Sequence, residues 1–148
     1  MGKRRSTRYD PDKTWAEQQR KELSWQTKAC QLVRDAGGYA EKIEFKMKGG
    51  CPDTIAVIPY RIPLLIEFKM GVMRVDPMQK STFKKMELAG FHIVCIAIYR
   101  ENDIIWFIQF DYNNNQEIKR CLLKNFVQLL WPDPNLPNTM VSSDGNKF

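Results

Sequence analysis

The chain has 148 residues, an apolar fraction of 43% and a formal net charge of +6. This length suits one domain with a hydrophobic core and excludes two domains of ordinary size. No apolar stretch approaches the length needed to cross a membrane, and the basic residues 1–5 are not followed by the apolar segment of a signal peptide. We therefore expect a soluble, cytoplasmic protein whose charge favours polyanion partners.

The cysteines and the histidine restrict the kinds of metal site. Cys30, Cys51, Cys95 and Cys121 are far apart in the sequence and form no Cys-x-x-Cys pair. This spacing is typical of reduced thiols rather than of a disulfide framework or a zinc site. With His92 as the single imidazole, any bound metal is expected to be a hard cation on oxygen ligands.

Residues 1–13 are predicted to form a flexible basic arm. Four cations precede the first acidic residue of this arm: Lys3, Arg4, Arg5 and Arg8. They are candidate contacts to a DNA backbone, although a solvated terminus explains them equally well.

A helix is predicted from Thr14 towards Gly37, since Thr14 and Glu17 have the spacing of a capping box. Glu22 lies on the otherwise apolar stripe of this helix. It is a candidate additional acid of an active site, and an ordinary surface glutamate is an equally good interpretation.

A strand over residues 40–47 is predicted next. It contains a Glu-Phe-Lys sequence in which Glu44 and Lys46 alternate with apolar neighbours. That alternation is typical of a strand with one solvated face, so we interpret this pair as structural.

A hairpin carries the most informative residues of the chain. Two apolar runs, 54–58 and 64–69, flank a turn that contains proline, and Asp53 precedes the first run. Glu67 and Lys69 interrupt the second run and share one face of its strand. A buried carboxylate is costly unless it is paired or binds a metal, so we expect Glu67 and Asp53 to hold a cation jointly.

A second helix is predicted over residues 76–90, with an aspartate cap followed by proline at its start and glycine at its end. Gln79 and Phe83 lie on the stripe that faces the sheet. Lys80 and Lys84 lie on other faces, where they would meet either a phosphate backbone or water.

Two further strands are predicted over 91–99 and 104–110, followed by a helix over 114–131 and a flexible tail over 132–148. The last helix has apolar residues on more than one face: Ile118, Leu122, Leu123, Phe126, Val127, Leu130 and Trp131. Such a helix is either deeply buried or contacts another subunit, which suggests a homodimer. The order of elements predicts an α/β fold with a mixed central sheet flanked by helices.

Four segments together resemble the virus-type replication-repair nuclease (VRR-NUC) domain of the PD-(D/E)xK nucleases. They are Gly50-Cys51-Pro52-Asp53, Glu67-Phe68-Lys69, Gln79 and the run of residues 89–94. The resemblance implies a restriction-endonuclease-like core over residues 14–131 and hydrolysis of DNA. It also implies that Mg²⁺, with Mn²⁺ as a substitute, is bound by Asp53, Glu67 and the Phe68 carbonyl.

The same resemblance implies roles for the remaining site residues. Lys69 would position water or stabilise the charged phosphorane, Gln79 would orient the site, and Glu22 would be a further metal ligand or a neighbour of one. Viral members of the family suggest branched DNA such as Holliday junctions as substrate, a role in DNA repair and a virus-encoded protein. The alternatives are a sequence-specific restriction-like endonuclease and a non-catalytic DNA-binding or assembly module on the same fold.

Overall fold

The computed structural model describes residues 24–43, 50–133 and 141–142. Within them, seven strands form one sheet in which strand order follows chain order. The strands are β1 (Tyr39–Lys42), β2 (Thr54–Val57), β3 (Leu64–Met70), β4 (Ile93–Glu101), β5 (Ile104–Asp111), β6 (Gln116–Cys121) and β7 (Val141–Ser142). The helices are α1, described over 24–35, α2 (Pro77–Leu88) and α3 (Phe126–Leu130), with a 3₁₀ turn at Leu123–Asn125.

The sheet is mixed, as the sequence predicted. β3 and β4 are parallel, and every other neighbouring pair of these strands is antiparallel. A parallel pair requires a crossover, and α2 supplies it between β3 and β4. The predicted hairpin is confirmed as the antiparallel pair β2–β3.

Helix α2 begins and ends where the sequence predicted. Asp76 is its N-cap and Pro77 its first residue, and the side chain of Asp76 accepts a hydrogen bond from the backbone N–H of Gln79. At the other end, Gly90 has a φ of +109°, a left-handed conformation that glycine adopts without steric cost. The chain therefore turns sharply into β4.

The two faces of the sheet are covered by different helices. On one face, Ala29 and Val33 of α1 and residues of α3 pack against Ile66 and Phe68 of β3. On the other face, Phe83 of α2 packs in a second apolar cluster: Cys95, Ala97, Ile108, Phe110 and Tyr112. Because side chains alternate along a strand, Glu67 and Lys69 lie on the face that α2 covers.

The prediction of a helix over 114–131 is wrong. Residues 116–121 form β6, which pairs antiparallel with β5, and helical structure is confined to the last turns of the segment. A tight turn redirects the chain: Asn115 has a φ of +59°, and its backbone N–H donates to the carbonyl of Asp111 at 2.7 Å. The hydrogen bonds and packing gained by pairing with β5 therefore stabilise a strand here, although the apolar residues have helical spacing.

The apolar residues at the end of this segment cover the sheet of their own chain. Phe126 is 1% exposed, stacks on Phe68 at 6.0 Å between ring centroids, and lies in the same cluster as Leu130 and Trp131. The Trp131 indole N–H donates to the carbonyl of Ile62 at 2.7 Å. Much of the apolar surface on which the homodimer prediction rested is therefore buried within one chain, while Ile118 and Leu122 remain 48% and 37% exposed.

Several predicted features lie outside the described residues: the basic arm, the start of the first helix with Glu22, and the Glu44–Lys46 pair. β1 occupies the first part of the strand predicted over 40–47. In the segment predicted as a tail, Val141 and Ser142 pair with β6. None of the helices in the described part of the chain is both long enough and apolar enough to span a membrane.

Candidate active site

Strand β3 carries two charged side chains into a largely buried face. Glu67 is 6% exposed, and the Lys69 side chain is 22% exposed. Their neighbours Ile66 and Phe68 point to the opposite face and belong to the main core. The strand is thus held in register by its apolar residues, and that register fixes which way Glu67 and Lys69 point, as the sequence predicted.

Asp53 reaches the same face from the neighbouring strand. Thr54 pairs with Ile66 across the hairpin, so one further step of the antiparallel register brings Asp53 opposite Glu67. The backbone of Asp53 is fixed by a hydrogen bond to its carbonyl from the N–H of Ile43, at 2.7 Å. The Thr54 hydroxyl donates to Asp53 Oδ1 at 2.9 Å, which restrains the carboxylate itself.

Gln79 connects the two charged residues of β3. Its Nε2 donates to Glu67 Oε2 at 3.0 Å, and its Oε1 accepts from Lys69 Nζ at 2.8 Å. Lys69 Nζ also lies 3.4 Å from Glu67 Oε2. Glu67, Lys69 and Gln79 therefore form one polar cluster, in which the Gln79 amide accepts a hydrogen bond from the cation and donates one to the anion.

The capping box of α2 fixes the orientation of this amide. Gln79 Oε1 accepts a second hydrogen bond, at 3.3 Å, from the backbone N–H of Asp76, while the N–H of Gln79 donates to Asp76 Oδ1 at 2.8 Å. With Oε1 occupied by two donors, Nε2 is directed at Glu67. The sequence predicts Asp76 only as a helix cap, although the spacing Asp76-x-x-Gln79 is itself the signal of a capping box.

Burial and like charge act together on the carboxylates. Burial, followed by the charge of Asp53, raises the pKa of Glu67 to about 7 from its ordinary 4.5, against the opposing effects of Lys69 and Gln79. Burial also raises the pKa of Asp53, while its hydrogen bond from Thr54 and the charges of Lys42 and Lys69 lower it. Two carboxylates held together in this way are a source of strain that a bound cation would relieve.

The donor set fits a small divalent cation with oxygen ligands. Asp53 and Glu67 supply two carboxylates on one face, and Mg²⁺ is usually bound through one or two protein carboxylates with water and substrate completing its shell. Within the described residues, no three His, Cys, Asp or Glu side chains converge as a metal site. The two-carboxylate arrangement of Asp53 and Glu67 suits Mg²⁺.

The two lysines predicted to contact DNA lie on α2 beside this cluster. Lys80 is half-buried, and its Nζ donates to the carbonyl of Asn113 at 3.0 Å. Lys84 is exposed, one helical turn further along. The carbonyl of His92 accepts a hydrogen bond from the N–H of Leu65 at 2.9 Å.

Comparison with known proteins gives a partial likeness of fold. No family model and no curated protein matches the chain. Among solved structures, one similar chain is described as a VRR_NUC domain; the two are 22% identical, with a TM-score of 0.46. The match covers 52% of this chain and 83% of that chain. A likeness of this extent concerns only part of the backbone, so the chemistry below is taken from the side chains of this chain.

Proposed function

We propose that the chain is a Mg²⁺-dependent DNA endonuclease that acts on branched DNA. The observation that carries this proposal is the buried Glu67, which faces Asp53, accepts a hydrogen bond from Gln79 and has Lys69 beside it. A carboxylate whose pKa is raised to about 7 by burial and by a second carboxylate is costly to the fold. Such perturbed groups concentrate at functional sites.

Asp53 and Glu67, together with the backbone carbonyl of Phe68, would hold the cation through oxygen atoms. When bound, Mg²⁺ or Mn²⁺ supplies a Lewis acid that lowers the pKa of water and neutralises charge on the scissile phosphate. Thr54 contributes by restraining the Asp53 carboxylate through its 2.9 Å hydrogen bond. Glu22, on the predicted first helix, would be a further acid of the same site.

Lys69 and Gln79 would complete the site by acting on the substrate and on Glu67 rather than as ligands of the cation. Lys69 Nζ, held by Gln79 Oε1, places a positive charge beside the carboxylates, where negative charge develops on the phosphorus oxygens during hydrolysis. Gln79 sets the spacing between this ammonium and Glu67, since it contacts both. An amide suits this position because it donates to one partner and accepts from the other.

The charge of the chain supports DNA as the partner. The net charge is +6, and the residues proposed to contact the phosphate backbone come from the basic arm and from α2. They are Lys3, Arg4, Arg5, Arg8, Lys80 and Lys84. Half-buried Lys80 follows Gln79 at the start of α2, and exposed Lys84 lies one turn further along, so a DNA strand bound along them would reach the carboxylates.

Branched DNA and a two-fold dimer belong to the same proposal. Two copies related by a two-fold axis would present two sites to opposed strands of a four-way junction. The same proposal includes a virus-encoded protein that acts in DNA repair in the cytoplasm. A sequence-specific restriction-like enzyme is the second candidate within nucleases. A non-catalytic module is disfavoured, because it gains nothing from the buried charges.

A panel of labelled DNA substrates tests the proposal. Wild-type protein should cut a four-way junction in Mg²⁺, cut linear duplex more slowly and leave both intact in excess chelator. Cleavage of one short duplex sequence in preference to all others would favour the restriction-like candidate. Binding without cleavage under every divalent-ion condition would leave a DNA-binding module as the function.

A further inference from the structure

A pocket of about 270 Å³ lies beside the candidate catalytic residues. Its walls are formed by Ile55, Pro63, Leu64, Leu65, Gly90, Phe91 and His92. Ile55 and Leu65 pair across the β2–β3 hairpin. Ile55 follows Asp53 by two residues, and Leu65 precedes Glu67 by two residues. Because side chains alternate along a strand, both lie on the same face of the sheet as those carboxylates, about 7 Å away along the strands.

The rim of the pocket carries an aromatic ring on a well-fixed backbone. Phe91 is 51% exposed, and its N–H donates to the carbonyl of Met86 at 3.0 Å in the turn that ends α2. Gly90 makes this turn possible through its positive φ. The next residue, His92, is tied to the pocket wall because its carbonyl accepts from the N–H of Leu65 at 2.9 Å.

We propose that this pocket receives an unstacked base of the DNA strand whose phosphate lies at Asp53 and Glu67. The inference rests on the proposed nuclease function and names the feature of the substrate that the site reads. A nucleobase has flat apolar faces, which suit the walls of Ile55 and Leu65 and the exposed ring of Phe91. Its polar edge would meet the His92 side chain at the rim.

The position of the pocket favours a base over other occupants. Ile55 and Leu65 place it about 7 Å along the strands from the proposed phosphate site at Asp53 and Glu67, and a phosphate and the base of a neighbouring nucleotide are separated by a distance of this order. Among its seven lining residues none carries a carboxylate that would repel the flanking phosphates. Aromatic side chains stack on any base, so the pocket would select an unpaired nucleotide without selecting a sequence.

The consequence is a preference for DNA in which a base leaves the stack easily. Unpairing a base within continuous duplex costs a few kcal/mol, and this cost is least where the nucleotide is already unpaired. Junctions, flaps and bulges offer such nucleotides. The pocket would therefore allow a single chain to distinguish such DNA structures from continuous duplex, whether or not two copies associate.

The test is a binding measurement in excess chelator, where no cleavage occurs. The probe is a duplex with one unpaired 2-aminopurine nucleotide, whose fluorescence falls when the base stacks on an aromatic ring. Wild-type protein should quench it, and Phe91→Ala should lose the quenching and bind this DNA roughly fivefold to a hundredfold more weakly. Leu88→Ala is the matched control, because Leu88 is 90% exposed near the same helix end and does not line the pocket.

A second DNA, with an abasic site at the unpaired position, completes a double-mutant cycle. Removing the base should weaken wild-type binding by about the factor found for Phe91→Ala, and should weaken the variant little further. If the loss of affinity from base removal and the loss from Phe91→Ala multiplied in the combined case, the two would act independently and the inference would be overturned. Equal quenching by wild type and Phe91→Ala would also overturn it. So would loss of self-association in Phe91→Ala with unchanged quenching, which would assign the pocket to a second copy. These outcomes are separate from the cleavage panel, whose failure would sink the nuclease function itself.

Discussion

Replacing Glu67 by glutamine should stabilise the protein at neutral and alkaline pH when no divalent ion is present. Glutamine has nearly the same shape and keeps an oxygen acceptor for Gln79 Nε2, now 3.0 Å from Glu67 Oε2. It cannot ionise, however. The substitution therefore isolates the free energy that the fold spends on keeping a carboxylate charged in a buried position.

The magnitude follows from the pKa of Glu67. Burial and the Asp53 carboxylate raise it from 4.5 to about 7, so the folded chain favours the neutral acid. A raised pKa contributes stability that is fully present below pH 4.5 and is lost as the pH rises through 7. A difference of this size corresponds to about 3 kcal/mol, so above pH 8 Glu67→Gln should be more stable than wild type by about that amount.

Urea unfolding followed by tryptophan fluorescence, from pH 4 to pH 8 in chelator, measures this difference. The gap in unfolding free energy should be near zero at pH 4 and should open between pH 5 and pH 8. Saturating Mg²⁺ should then stabilise wild type and leave Glu67→Gln unchanged, because a ligand stabilises only the form that binds it. Glu41→Gln is the control, since Glu41 is 53% exposed in its side chain and should show no such gap.

A constant gap across this pH range would refute the reasoning. It would mean that Glu67 ionises in the folded chain as it does in water, and that no strain exists for a cation to relieve.

Three further predictions follow from the same geometry. Gln79→Ala should lower kcat about tenfold to a hundredfold with little change in KM, because Gln79 restrains both the Lys69 ammonium and the Glu67 carboxylate. Steady-state cleavage measures this, with Gln79→Glu as a comparison. An unchanged kcat would remove Gln79 from the site. Mg²⁺ and Mn²⁺ should support cleavage, whereas Ca²⁺ should support only DNA binding. In subsaturating Mg²⁺ the cleavage rate should fall below about pH 7, because Glu67 takes up a proton. Activity that survives exhaustive chelation would exclude the mechanism. Phe126→Ala should cost about 3–5 kcal/mol by urea unfolding without changing the mass by light scattering. Ile118→Ala, at a 48% exposed position, should cost under about 0.5 kcal/mol, and comparable costs would contradict the burial of Phe126 against the sheet.

The elements with strong local signals could be predicted from the sequence. The hairpin follows from two apolar runs and a proline-containing turn, and α2 follows from the Asp76-Pro77 start and Gly90 at its end. The shared face of Glu67 and Lys69 needs only the alternation of a strand. These features depend on neighbours in sequence, so the residue pattern was sufficient.

The last third of the chain depended on distant neighbours. Residues 118, 122, 126 and 130 have helical spacing, yet Ile118 is on a strand because β5 offers an edge to pair with. The turn that decides this uses Asn115 in a left-handed conformation, stabilised by the carbonyl of Asp111. The spacing of apolar residues contains no information on this turn or on the pairing with β5, so it predicted a helix.

The site was predictable in its members but not in its connections. Asp53, Glu67, Lys69 and Gln79 could be named from their spacing and from the resemblance. The amide orientation of Gln79 could not, because it depends on two donors from different elements, Lys69 Nζ and the backbone N–H of Asp76. The pKa of Glu67 likewise depends on how deeply the folded sheet buries it.

The central claim is that Asp53, Glu67 and Lys69 perform metal-dependent DNA hydrolysis. Its most direct test is the single-turnover rate of junction cleavage in Mg²⁺ for the alanine variant of each residue. As a matched control, the double variant Glu44→Ala with Lys46→Ala removes the other Glu-Phe-Lys charges of the chain. We expect each single variant to lose cleavage while still binding DNA, and the control to cut at the wild-type rate. An inactive control with an active Glu67→Ala variant would contradict the account, because the active site would then lie at the other Glu-Phe-Lys.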